Sequence, residues 1–154
     1  MAFEMSEKLL EELIALINAE KSVEILEVLQ DFPEQDISVL LLELEYAQAA
    51  YVLRLQDKKT SAQVVRELDP DYRKRLLKEF SSLDIAAFIE FLESDDAVDI
   101  INEQPVKTGE EVIALLTNTE KATYIRDLLH YDEDCAGGLM AKELVKANIN
   151  WTIR

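Results

Sequence analysis

The sequence predicts an all-α fold: a superhelical α-solenoid of about ten short helices in 24-residue two-helix repeats, with a short C-terminal extension. Three observations predict it. Only three glycines and three prolines interrupt the 154 residues, and the apolar residues fall in i, i+3, i+4 groups, which is helical spacing. The breaks between groups carry helix-start chemistry. Finally, the text matches itself when displaced by 24 residues, as a solenoid requires if equivalent core residues are to recur at equal intervals.

The first groups, Leu16 with Ile17 and Val28 with Leu29, predict two N-terminal helices. The repeat is clearest from residue 40 onward. Leu40, Val64, Phe88 and Val112 fall in one register, Leu41, Val65, Ile89 and Ile113 in the next, and Leu44, Leu68, Leu92 and Leu116 close the first helix of each unit. Glu45, Asp69 and Glu93, with Thr117 in the fourth copy, mark the start of the second helix. That helix contributes Val52, Leu76, Ile100 and Tyr124, then Leu53, Leu77, Ile101 and Ile125. Asp69-Pro70 reads as an N-cap followed by proline at the first helical position. Thr60-Ser61-Ala62-Gln63 and Thr108-Gly109-Glu110-Glu111 both have the capping-box pattern, and Ser94 is the expected cap of the helix that follows it. Trp151 and the phenylalanines read as core. A helix pair of this size cannot bury its apolar face alone, so stacked neighbours must share one continuous core over residues 1–131, leaving 132–154 as a separate extension.

Sixteen basic against thirty-two acidic residues give a formal charge of −16. Such a chain repels phosphate backbones, so no nucleic-acid partner is expected. No apolar run approaches the roughly 20 residues that cross a bilayer, and no signal pattern opens the chain. A lone cysteine, Cys135, suits a reducing compartment, so a soluble cytoplasmic fragment is expected. Catalysis is not. The single histidine, His130, stands at a helix C-terminus, where a cation suits the dipole. Cys135 has no basic cluster to activate it, and no CxxC, HExxH or phosphate-binding glycine loop is present.

The acidic residues are unevenly placed. Between Lys78 and Lys107 there is no basic residue, while Glu79, Asp84, Glu90, Glu93, Asp95, Asp96, Asp99 and Glu103 all fall there with nothing local to neutralise them. Asp95 and Asp99 are four apart and share a helix face, where like charges repel unless a cation lies between them. One reading is a solvated face, with Asp95 and Asp96 serving the helix dipole. The other is a hard-cation site: Mg²⁺ keeps several waters and needs only one or two carboxylates from any one surface.

"YDEDCAGGLMAKELV", residues 131–145, resembles the junction in MgtE-type magnesium transporters and channels, where a superhelical cytosolic domain passes into paired CBS domains. Tyr131, Glu133, Asp134, Ala136, Gly137, Gly138, Leu139, Met140, Glu143 and Val145 match the family pattern, and Ala141 stands where threonine is usual. "VVRELDPDYRKRLLKEF" and "FIEFLESDDAVDII" resemble the family's repeat text in the same order. The resemblance implies that the tail begins a CBS domain. It also implies a regulatory role, in which Mg²⁺ held between this domain and the CBS domains of the same protein screens repulsion and favours a closed pore. The full-length protein would be a membrane-embedded homodimer with this part on the cytoplasmic side. By position, Asp95 is the leading ligand, then Asp99, with Asp96 and Glu93 beside them, and binding by the isolated chain is expected to be weak or absent. Where the family can present a carboxylate, Gln63 offers only an amide. A second reading is an α-solenoid scaffold for a basic protein surface, as in a flagellar rotor switch protein.

Overall fold

The structure, a computed structural model, describes residues 6–131 and 136–137. Among these are ten α-helices and no strand: α1 (Glu7–Asn18), α2 (Ser22–Leu29), α3 (Glu34–Leu41), α4 (Tyr46–Leu55), α5 (Lys58–Glu67), α6 (Pro70–Leu76), α7 (Ser82–Ile89), α8 (Ser94–Asn102), α9 (Val106–Leu115) and α10 (Thr119–Leu128). A 3₁₀ turn, Leu77–Glu79, prolongs α6. The strand and domain boundary expected beyond residue 131, and the roles of Cys135 and Trp151, fall outside the described residues. No helix among those described is long and apolar enough to cross a membrane.

Helix starts keep the repeat with little drift. The N-caps of α3, α5, α7 and α9 are Pro33, Asp57, Ser81 and Pro105, each 24 residues from the last. Those of α2, α4, α6 and α8 are Lys21, Glu45, Asp69 and Glu93, at the same interval. The fourth copy departs by one residue, because α10 is capped by Asn118 rather than Thr117. Three expected caps are corrected. Thr60 lies inside α5, and its hydroxyl donates to Asp57, whose Oδ1 also accepts the Lys59 and Thr60 amides at 3.1 Å. Thr108 lies inside α9, which starts directly after Pro105. Ser94 is already helical and fully buried, leaving extended backbone, and so the cap position, to Glu93. A capping box does form, unforeseen, at Ser81 and Asp84.

The odd-numbered helices α3, α5, α7 and α9 pack in succession as one layer, while α2 packs on α4, α4 on α6, and α8 on α10 in the other. The core runs between them. All four members of the first three repeat columns are buried, as are Val52, Leu76, Ile100, Leu53, Leu77, Ile101 and Ile125. Each such side chain contributes about 1.5–3 kcal/mol by leaving water. Two expected core residues are not core: Tyr124 is half-buried with its hydroxyl on the Glu120 carboxylate, and Phe91 is 48% exposed.

Three polar clamps tie together the elements around α8. Gln63 of α5 donates through Nε2 to the Phe91 carbonyl in the α7–α8 connection, at 3.4 Å. Arg73 of α6, almost fully buried, donates to the carbonyls of Val65, Arg66 and Leu68 at the end of α5 and to the Glu103 carboxylate at the end of α8. Glu90 and Lys121 exchange helix ends. The Glu90 carboxylate accepts from the Thr117 and Asn118 amides before α10, while Lys121 Nζ donates to the carbonyls of Ile89, Glu90 and Leu92 after α7. Orphan groups at both helix termini are thereby satisfied across a repeat boundary.

Candidate functional site

α8 buries Ser94, Ala97, Val98, Ile100 and Ile101, which leaves Asp95, Asp96 and Asp99 on its other face. Ser94 at the first helical position is the anchor that turns the next two aspartates outward. Glu93 is the exposed cap, Asp95 and Asp96 are half-buried in the first turn, and Asp99 is exposed one turn on. One Asp95 oxygen, Oδ1, is buried and has no hydrogen-bond partner.

Three of the four predicted residues act on the fourth, Asp96. Burial raises the Asp96 carboxyl above its ordinary value, the charge of Asp95 raises it further, Arg66 partly offsets this, and Asp99 and Glu93 add to the rise. Asp96, ranked behind Asp95 and Asp99 from the sequence, is therefore where the repulsion converges. Among the described residues, no group of three or more Asp, Glu, His or Cys is arranged to hold a metal by itself. The donor chemistry nevertheless fits a hard cation: carboxylate oxygens only, one of them buried without a proton donor, on a surface open to water and to a second set of ligands.

Within the segment from 79 to 103 no basic residue neutralises the carboxylates. Its counter-charges arrive from helices distant in sequence. Lys58 lies 3.7 Å from Asp84, Arg73 pairs with Glu103, and the Lys121 charge acts on Glu90. Arg66 acts on Asp96 and Glu93 while its guanidinium donates to Glu67 at 2.6 Å. The sequence reading missed Arg66. The signal was present in the repeat register, which sets the end of α5 beside the connection leading into α8.

His130 closes the last helix, its Nδ1 donating to the Arg126 carbonyl at 2.6 Å, which caps an orphan acceptor at a helix C-terminus. The junction glycine Gly137 lies directly against the Tyr131 ring: a Cβ placed there would stand 2.6 Å from Tyr131 Cδ1.

The family profile of the MgtE intracellular N domain matches residues 32–134. A crystal structure of the soluble part of a magnesium transporter superposes on 90% of this chain and 55% of its own, with a TM-score of 0.77 at 22% identity. A crystal structure of the cytosolic domain of the Mg²⁺ channel MgtE in complex with ATP covers 86% of this chain and 54% of its own, with a TM-score of 0.75 at 26% identity. The chain thus spans about half the length of these structures. No curated protein matches it.

Proposed function

Because the chain belongs to the MgtE intracellular N domain family, we propose that it is the Mg²⁺-sensing part of a magnesium transporter or channel, docking through the start of α8 onto CBS domains of the same full-length protein. That protein is a membrane-embedded homodimer in this reading, with the solenoid on its cytoplasmic side and no catalytic role.

The observation that carries the reading is the grouping of Glu93, Asp95, Asp96 and Asp99 at an outward-facing helix start, where burial and then the neighbouring carboxylates raise the Asp96 carboxyl and Arg66 offsets only part of the rise. Bringing a second acidic surface against Glu93, Asp95, Asp96 and Asp99 costs free energy without a cation and gains it with one. Mg²⁺ would be held by Asp95, with Asp99 and Asp96 beside it, and would keep several waters, since one surface offers too few oxygens for an octahedral shell. When bound, the ion supplies charge screening. The solenoid supplies the rigid placing of the carboxylates, through the buried Ser94 and the clamps on either side of α8. The docked state is favoured only by the ion's differential affinity for it, so falling Mg²⁺ releases the domain and opens the pore. Gln63, held to the Phe91 carbonyl at 3.4 Å, adds no charge to this surface.

Limited proteolysis of the full-length protein tests the reading. Mg²⁺ is expected to protect the solenoid, and Asp95→Asn to weaken that protection while changing stability by no more than about 2 kcal/mol, the upper range for a partly buried first-turn carboxylate acting through the dipole. If Asp95→Asn, Asp96→Asn and Asp99→Asn all retain full protection, the acidic start of α8 is a solvated face and the reading is wrong.

A further inference from the structure

Resting on that reading, we infer that Arg66 sets the Mg²⁺ concentration at which α8 engages, as a tethered cation that competes with the ion for the same carboxylates.

Arg66 sits in the last turn of α5, one turn beyond Gln63, whose amide reaches the Phe91 carbonyl two residues before Glu93. The two side chains thus lie on the stretch of α5 that faces the entry to α8. The Arg66 backbone is fixed, since its carbonyl accepts from Arg73 Nη1 at 3.0 Å. Its guanidinium is exposed, donates to Glu67 through Nη2 at 2.6 Å and Nε at 3.2 Å, and also acts on Glu93 and Asp96. Glu67 engages only part of it, because a guanidinium offers five donors.

The repeat shows that the fold does not need a cation at this place. The equivalent positions hold Leu42, Glu90 and Ala114, so neither the layer packing nor the caps require arginine. Its effect is electrostatic. A guanidinium stays charged at every physiological pH, so it lowers the negative potential over Asp96 and Glu93 by a constant amount. An incoming divalent cation meets a weaker field than the four carboxylates alone would set, and meets repulsion from the fixed charge as well. Removing that charge must tighten Mg²⁺ binding, whereas general structural damage would loosen it.

The experiment follows the Mg²⁺ midpoint of protease protection in the full-length protein for the parent, Arg66→Gln, Arg66→Lys and Arg75→Gln. Arg75 is a surface cation on α6 with no ion-pair partner among the described residues, and controls for net charge. A unit charge acting on a divalent ion across roughly 8 Å of water-like medium shifts affinity by about three- to tenfold. Arg66→Gln is expected to lower the midpoint by that factor, by less at high monovalent salt. Arg66→Lys and Arg75→Gln should remain within about twofold of the parent by the same arithmetic. An unchanged or raised midpoint in Arg66→Gln, or an equal fall in Arg75→Gln, overturns the inference while the docking reading stands. Absence of Mg²⁺-dependent protection in the parent itself overturns both.

Discussion

Asp96 is held above its ordinary value by burial first and then by Asp95, Asp99 and Glu93, against the opposing charge of Arg66. A carboxyl raised in the folded state favours folding in its neutral form. That contribution is complete below the unfolded value near 3.8 and is lost as pH rises through the folded-state value. Asp96→Asn, neutral at every pH, is therefore expected to be more stable than the parent at pH 7, on the order of a few tenths of a kcal/mol at this partly solvated site. The advantage should vanish near pH 3, which urea denaturation at the two pH values checks. Gly137 shows the limit of what a motif tells. The pattern AGG was legible in the text, but its reason was not: the flat face of Tyr131 occupies the place of a side chain. Gly137→Ala is expected to cost on the order of 1 kcal/mol, because the ring blocks the added carbon but Tyr131, 49% exposed, can turn partly aside. Tyr131→Ala in the same chain should recover most of it, and a double-mutant cycle showing no coupling between the two would contradict the contact.

Helices and their 12-residue rhythm were the most legible level. The columns headed by Leu40, Leu41, Leu44 and Leu53 are all buried in the structure, because a stacked repeat must place equivalent side chains in one continuous core. Caps were read less well. Thr60, Thr108 and Ser94 all have the right chemistry, yet which nearby residue holds extended backbone is decided by the packing of the preceding helix, and Asp57, Pro105 and Glu93 hold it. Charge pairing was least legible, since Lys58 with Asp84 and Arg73 with Glu103 lie a repeat or more apart in the chain. The clasp between α7 and α10 is of this kind. Burial works to raise the Glu90 carboxyl, but bonds from the Thr117 hydroxyl and amide and the Asn118 amide, with the charge of Lys121, outweigh it and hold it below its usual value. Its contribution is thus present above the unfolded value near 4.5 and lost as pH falls through the folded-state value. Glu90→Ala should cost about 1–2 kcal/mol at pH 7, the price of uncapping α10, and progressively less in acid. Chemical denaturation across pH 3 to 7 reads this directly, and a cost that does not change with pH would contradict the clasp.

At the scale of the molecule, a formal charge of −16 is tolerable for a free solenoid but opposes its approach to any acidic neighbour. The helices supply a stiff frame and the clamps around α8 keep the frame from yielding; in the proposed reading, the acidic first turn makes docking conditional on a cation. The most direct test is the separation between a fluorophore on the solenoid and one on the CBS domains onto which it is proposed to dock, followed in the full-length protein by energy transfer as Mg²⁺ is titrated. The account predicts that the distance shortens on adding Mg²⁺, lengthens again on chelation, and responds at lower Mg²⁺ in Arg66→Gln and at higher Mg²⁺ in Asp95→Asn. A separation that stays constant from zero to saturating Mg²⁺ would contradict it.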